Sequence, residues 1–264
     1  MKNKLFLAFS LSLLVLTSCA QDNAVWKNKK CAVVLTYDDA LNIHLDKVIP
    51  ALDSFGFKGT FYLIGYAPGF RLRVEDWRKA SKKGHELANH AMYHPCVGKR
   101  PGREWVQPDY DLSGYTLKRM RDELKMNNTL LQAVDGKTKR TYAYPCGDMK
   151  IGDSLYLDKS DFVAARGVVS VMPKINEIDM YNVPAYAISN QTGDELIALV
   201  KKAMETNGLL VFLFHGVGGE HSINVSAEAY SKLLHFLKEH EKEVWVAPFI
   251  DVMEYAKQYN APRN

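Results

Sequence analysis

The stretch Cys31-Ala32-Val33-Val34-Leu35-Thr36-Tyr37-Asp38-Asp39 is an apolar run that ends in two adjacent carboxylates. Its length and its β-branched and aromatic content predict a buried strand over 32–37. Further strands are predicted at 60–64, 85–89, 140–144, 162–165, 209–214 and 244–246. Helical patterns lie between them, at 43–55, 74–83, 114–134, 193–206, 226–239 and 248–259. This alternation predicts an α/β protein with a mostly parallel sheet, either a barrel or an open doubly wound sheet.

The composition excludes several classes of protein. The chain has 264 residues, of which 47% are hydrophobic, and 34 Lys+Arg against 30 Asp+Glu give a formal charge of +4. This is the mix of a globular protein that can bury one sizeable core, so disorder and a disulfide-dense miniprotein are excluded. A charge of +4 over this length is not the basic stripe of a nucleic-acid binder. No linker or repeat follows residue 30, so we expect one domain over 31–264.

The N-terminus carries a targeting pattern. Lys2 and Lys4 precede an apolar run over 5–16, which is typical of a signal peptide and too short to span a bilayer. Residues 16–19 (LTSC) look like a bacterial lipobox, which predicts removal of 1–18 and lipidation of Cys19; an ordinary signal peptide with an incidental cysteine is the alternative. Residues 19–30 would then be the lipidated cysteine and a polar tether. We therefore expect an exported lipoprotein anchored in a membrane of the bacterial envelope, on its periplasmic or cell-surface side.

Ionisable side chains follow three of the predicted strands. Asp38 and Asp39 follow the first strand, His90 and His94 follow the third, and His215 follows the strand over 209–214. In parallel sheets, chemistry gathers at the carboxyl ends of the strands. Each motif alone also has a structural explanation: a helix cap, two loop histidines, or a buried histidine.

The cysteines beyond the targeting segment allow at most one intramolecular disulfide, because there are three of them. Cys31 opens the first strand and is expected in the core. Cys96 and Cys146 each lie beside a motif, and a disulfide between them is one option in an oxidising compartment.

Taken together, the motifs resemble those of the polysaccharide deacetylases, the NodB-like enzymes of carbohydrate esterase family 4. Thr-Tyr-Asp-Asp over 36–39 resembles the first motif of that family, and His-x-x-x-His over 90–94 resembles the second. Residues 142–147 resemble the third motif and residues 213–215 the fifth. The resemblance covers roughly 31–250 and implies a (β/α) barrel, distorted or incomplete, with about seven strands.

The resemblance also implies a metal-dependent hydrolase. Asp39, His90 and His94 would hold a divalent metal, with zinc the best match and cobalt or nickel as alternatives. Asp38 would be the general base that takes a proton from the attacking water, and His215 would be the general acid that protonates the leaving group. The reaction would remove acetyl groups from an acetylated oligo- or polysaccharide, as an N-acetyl amide or an O-acetyl ester. The alternative is a non-catalytic glycan-binding lipoprotein that retains the fold.

Other site residues follow from the same resemblance. The N–H of Cys146, after Pro145, would stabilise the oxyanion, and Leu213 would line a pocket for the acetyl methyl group. The third motif often carries an arginine that orients the base, but Ala143 stands there. Arg166 either supplies that charge from a neighbouring strand or is a surface arginine at a strand end.

Some departures from the family pattern leave questions open. The family usually has Ser or Thr after the first histidine of the second motif, where this chain has Ala91. No clear fourth motif is present, so the partner of His215 is unidentified. The aromatic loop over 99–115 would suit stacking on sugars or would simply pack itself down.

Overall fold

The computed structural model describes residues 25–262. Within them, one sheet contains eight strands: β1 Cys31–Asp38, β2 Thr60–Leu63, β3 Glu86–Asn89, β4 Thr141–Ala143, β5 Ala164–Arg166, β6 Tyr186–Ala187, β7 Leu209–Phe214 and β8 Val244–Val246. The α-helices of this part of the chain are α1 Ile49–Phe55, α2 Pro68–Arg71, α3 Val74–Lys82, α4 Leu117–Asp135, α5 Gly193–Thr206, α6 Ala227–Glu239 and α7 Phe249–Tyr259.

Short elements complete the described chain. A π-helical turn, His44–Val48, leads into α1, and 3₁₀ turns lie at Pro108–Tyr110, Leu112–Gly114, Pro145–Gly147, Lys159–Asp161 and Ile175–Glu177. Two small strand pairs stand apart from the main sheet: Lys150–Ile151 with Ser154–Leu155, and Gly216–Val217 with Asn224–Val225.

The main sheet is parallel and curls into an incomplete barrel. Seven strands follow in the order β5-β4-β3-β2-β1-β7-β6. β8 pairs with the first half of β1 and β2 with its second half, on the edge opposite β7. Val183 pairs with Arg166, the last residue of β5, and β6 pairs with β7, so the segment 183–187 bridges the gap between the two ends of the sheet. The predicted distorted barrel of about seven strands is confirmed.

The two faces of each strand pack into different layers, because side chains alternate along a strand. From β1, Val33, Leu35 and Tyr37 pack outward against the helices. Ala32 and Val34 pack into the barrel interior, together with residues of β7 and α7. The inward-facing positions decide which polar side chains reach the centre of the barrel.

The predicted tether over 19–30 is wrong for residues 25–30, which belong to the folded domain. The Trp26 side chain is fully buried, and its Nε1–H donates to the carbonyl of Asn207 at 2.9 Å. Lys27 N–H donates to the Tyr255 hydroxyl at 3.2 Å. The segment was predicted to be a tether because most of its residues are polar. Its one tryptophan has a large apolar side chain, and burying that side chain fixes the segment to the domain.

The signal peptide and Cys19 lie outside the described residues, so export and lipid anchoring stay predictions that the mass of the mature N-terminus would test. None of the helices in the described part combines the length and the apolar character that crossing a bilayer requires.

Replacing Trp26 should destabilise the domain strongly. Trp26→Ala empties a buried site and removes a hydrogen bond, and we expect it to lower the free energy of unfolding by about 3–5 kcal/mol. Trp105→Ala is the matched control because that side chain is 55% exposed, and it should cost under about 1 kcal/mol. Urea unfolding measures both; equal losses would contradict the assignment of Trp26 to the core.

Candidate metal centre and active site

The register of the strands brings the candidate residues to one end of the barrel. Asp38 ends β1 at an inward position, two residues beyond Thr36. His90 lies two residues beyond Ala88 of β3, which faces inward. Arg166 ends β5 and lies two residues beyond Ala164, which also faces inward. The period of two therefore delivers these side chains to a common centre.

Asp39, His90 and His94 form a group whose ligand atoms lie within 4.8 Å of one another. Asp39 Oδ1 is 3.5 Å from His90 Nε2 and 3.6 Å from His94 Nε2. That oxygen is buried and has no hydrogen-bond partner among the described residues. Asp39 reaches this position through a left-handed backbone conformation, with φ at 80°. One carboxylate and two imidazoles match the donor set of a catalytic zinc site with open positions.

Both histidines are prepared to offer a lone pair. His90 Nδ1 lies 2.8 Å from the Ala143 carbonyl, so it carries the proton and donates, which leaves the lone pair on Nε2. Burial lowers the pKa of His90 and of His94 to about 4. Both rings are therefore neutral near pH 7, as metal ligation requires.

Asp38 forms a buried ion pair with Arg166. The Arg166 guanidinium is fully buried, and its Nη2–H donates to Asp38 Oδ2. The surface alternative for Arg166 is wrong. Burial alone would raise the pKa of Asp38, but Arg166, with His90 and His215, outweighs it, so the pKa lies below the usual value. Asp38 Oδ1 is buried with no hydrogen-bond partner in the described chain, which leaves one oxygen available as a base.

His215 approaches the centre from β7. Its Nε2 is 3.8 Å from Asp39 Oδ2, whereas its Nδ1 is buried and has no partner among residues 25–262. His44 Nε2–H donates to the backbone carbonyl of His215 at 2.8 Å. His221 stacks on the His215 ring at 4.8 Å, and its Nε2 is also 3.8 Å from Asp39 Oδ2. No sequence pattern identifies His44, whereas His221 lies just beyond the glycine-rich turn that follows His215.

Helix α4 supports the loop that carries His90 and His94. Ala91 has φ at 63°, and its N–H donates to Asn89 Oδ1 at 2.8 Å. Asn127 Nδ2–H donates to the Ala91 carbonyl at 3.0 Å, and Glu123 Oε1 accepts from Tyr93 N–H at 3.0 Å. These contacts hold the loop in a chain that has Ala91 where the family pattern has a Ser or Thr hydroxyl. Two buried polar side chains on the apolar face of a predicted helix were the signal that could have revealed them.

A disulfide joins Cys96, near His94, to Cys146 in the turn that follows β4. Cys146 adopts φ at 55° and lines the site cavity. Pro145 is buried and starts this turn, but it is not on the cavity wall. Cys31 is a free, buried cysteine, as expected.

The centre lies in a cavity of about 1020 Å³. Leu213 is on its wall, beside Asp38, Asp39 and the three histidines His90, His94 and His215. Aromatic side chains form much of the remaining wall: Tyr66, Tyr93, Trp105, Tyr110 and Tyr144. From the loop over 99–115, Trp105 and Tyr110 therefore face the cavity, whereas Tyr115 is buried in the core.

Comparison with known proteins gives a family match. The family model described as polysaccharide deacetylase matches residues 26–159. This stretch includes the two aspartates and the His-x-x-x-His motif, and it ends before Arg166 and His215. The Bacillus subtilis protein YlxY is 27% identical over 138 residues, which are 52% of this chain and 36% of that protein. The matched segment thus spans about a third of that curated relative.

Solved structures share the fold. A Mycobacterium smegmatis protein described as a polysaccharide deacetylase superposes with a TM-score of 0.63 at 18% identity, covering 89% of this chain and 93% of its own. A pseudoenzyme of carbohydrate esterase family 4 from Bacillus anthracis superposes with a TM-score of 0.53 at 19% identity, covering 86% of this chain and 68% of its own. At these identities the likeness establishes the fold alone.

Removing Arg166 should leave a buried carboxylate without its counter-charge. We expect Arg166→Met to lower the free energy of unfolding by about 3–5 kcal/mol at neutral pH. The loss should shrink as the pH falls, because a protonated Asp38 no longer needs a counter-charge. The double variant Asp38→Asn/Arg166→Met should recover part of the stability at neutral pH.

Urea unfolding at neutral and acidic pH measures this coupling. Lys118→Met, which breaks an exposed pair with Asp122, is the control and should cost under about 1 kcal/mol at both pH values. Equal losses for the single and double variants at both pH values would contradict the buried ion pair.

Proposed function

Because this chain belongs to the polysaccharide deacetylase family, we propose that it is a metal-dependent hydrolase that removes acetyl groups from a carbohydrate. One observation carries the proposal: the same cavity holds a carboxylate oxygen that can act as a base and a group of one carboxylate and two imidazoles that can bind a metal ion. Asp38 Oδ1 has no partner among the described residues, and Asp39, His90 and His94 present their ligand atoms to one point.

Asp39 Oδ1, His90 Nε2 and His94 Nε2 would hold the divalent ion. The donor set suits zinc, and cobalt and nickel also accept imidazole ligands. When bound, such an ion polarises a carbonyl and lowers the pKa of water. The buried Asp39 Oδ1, which has no hydrogen-bond partner in the described part, is the observation of this chain that supports the fit.

Residues around the ligand set would move the protons. Asp38 Oδ1 accepts a proton from the attacking water, while Arg166 holds Oδ2 and keeps the carboxylate ionised. His215 Nε2 faces the centre from the end of β7, beside β1, and donates a proton to the departing amine or alcohol. The Cys146 N–H stabilises the oxyanion, and Leu213 contacts the acetyl methyl group.

The substrate class rests on the family and on the cavity wall. Aromatic rings at Tyr66, Tyr93, Trp105 and Tyr110 offer faces on which pyranose rings can stack. Amide and ester substrates pass through the same kind of tetrahedral intermediate, so both belong to the proposal. The similarity to a pseudoenzyme supports keeping glycan binding without turnover as the second candidate.

Asp38→Asn should separate catalysis from metal binding. We expect acetate release to fall by about 10²–10⁴-fold, because the base is lost, while zinc affinity changes little. Asp39→Asn is the matched control: it should lose zinc binding and acetate release together. Acetate assays on chitooligosaccharides, peptidoglycan fragments and acetylated xylan, with zinc titrations, measure both quantities. Normal turnover by Asp38→Asn would contradict the base assignment.

The same substrate panel distinguishes the two candidate functions. Zinc-dependent acetate release by the wild-type protein from at least one member is expected. Binding of these glycans without release from any of them would favour the non-catalytic alternative.

A further inference from the structure

His94 lies between two groups of potential metal ligands. Its Nε2 is 3.6 Å from Asp39 Oδ1, on the side of the proposed catalytic ion. Its Nδ1 is 3.6 Å from Cys96 Sγ, on the side of the disulfide. One ligand atom each from His94, Cys96 and Cys146 lie within 4.8 Å of one another. The same imidazole therefore faces both sets.

We propose that reduction of the Cys96–Cys146 disulfide creates a second metal site, formed by the two cysteine sulfurs and His94 Nδ1. In the disulfide the sulfurs are poor ligands, since the thiolate is the form that binds metals. Two thiolates and one imidazole form a donor set that suits zinc and cobalt.

The conversion is a two-electron reduction by a dithiol. The S–S bond between Cys96 and Cys146 breaks, each sulfur gains one electron and one proton, and the dithiol becomes a disulfide. On binding a divalent ion, the two thiols release their protons to solvent. Cys146 lines the cavity and is partly exposed, whereas Cys96 is buried, so a small dithiol would approach the disulfide from the Cys146 side.

Contacts other than the disulfide hold the two cysteines near each other. The Cys96 carbonyl accepts from Leu112 N–H at 2.9 Å, and the next residue, Val97, donates its N–H to Asp148 Oδ2 at 2.8 Å. Arg103 Nη2–H donates to the Cys146 carbonyl at 3.0 Å. The two sulfurs therefore stay close after the covalent bond is broken.

The two sites exclude each other through the tautomer of His94. A neutral imidazole has one nitrogen with a lone pair and one with a proton. When Nδ1 binds an ion on the sulfur side, the proton sits on Nε2, which then cannot act as a ligand beside Asp39. The consequence for activity rests on the proposed function: the oxidised protein is active with its metal, and the reduced protein is inhibited. The sulfur site itself does not depend on that function.

Cobalt(II) is the probe that separates the sites. The purified protein is treated with a dithiol, desalted without oxygen, and titrated with Co²⁺ beside an untreated sample. The reduced protein should show the near-ultraviolet thiolate-to-cobalt charge-transfer absorption and bind one Co²⁺ per chain, whereas the oxidised protein should bind one without that absorption. His90→Ala should weaken Co²⁺ binding of the oxidised protein at least tenfold and leave the reduced protein unchanged.

The double variant Cys96→Ser/Cys146→Ser is the matched control, because it retains the free Cys31. It should bind Co²⁺ without charge-transfer absorption in either condition. Absence of the absorption in the reduced wild-type protein would overturn the sulfur site, and two Co²⁺ per reduced chain would overturn mutual exclusion. Near-ultraviolet circular dichroism verifies that the reduced protein is folded. A complete lack of acetate release would count against the proposed function and leave the absorption result standing.

Discussion

The site depends on how two adjacent carboxylates at the end of β1 are compensated inside a nearly closed barrel. Burying a carboxylate is costly unless it is paired and hydrogen-bonded. Arg166, at the end of β5, pairs with Asp38, at the end of β1. This guanidinium lowers the pKa of the Asp38 carboxyl despite its burial. Asp39 instead faces four histidines, of which His90 and His94 are held neutral by burial. A carboxylate beside these two neutral imidazoles is the arrangement that a divalent cation would complete.

Much of this fold follows from local pattern. The helix predicted over 193–206 has those bounds in the structure, where Thr192 and Glu195 form a capping box and Asn207 ends the helix in a left-handed conformation. The first strand and the strand over 209–214 were equally clear, since long apolar runs bounded by polar residues leave little choice. The period of two along those strands then explains why the chemistry meets at one end of the barrel.

Other features depend on tertiary contacts that no local pattern encodes. The strand β6 has only two residues, too few for any periodicity. Arg166 could not be assigned from sequence because a single arginine at a strand end looks the same whether it faces solvent or a buried carboxylate. Trp26 lies among polar neighbours in the sequence, and the partner of its indole N–H, the Asn207 carbonyl, is far along the chain. The barrel itself came from the family resemblance, since the alternation of strands and helices also fits an open sheet.

The ligand loop illustrates how one chain can meet a structural need with different residues. Ala91 cannot donate a side-chain hydrogen bond, and the loop is held instead by Asn89 and by Asn127 of α4. The disulfide between Cys96 and Cys146 ties the same loop to the turn beyond β4. Anomalous diffraction from a zinc-loaded crystal tests the central claim most directly. The account predicts one peak within bonding distance of Asp39, His90 and His94; a zinc peak elsewhere, or none at this position, would contradict it.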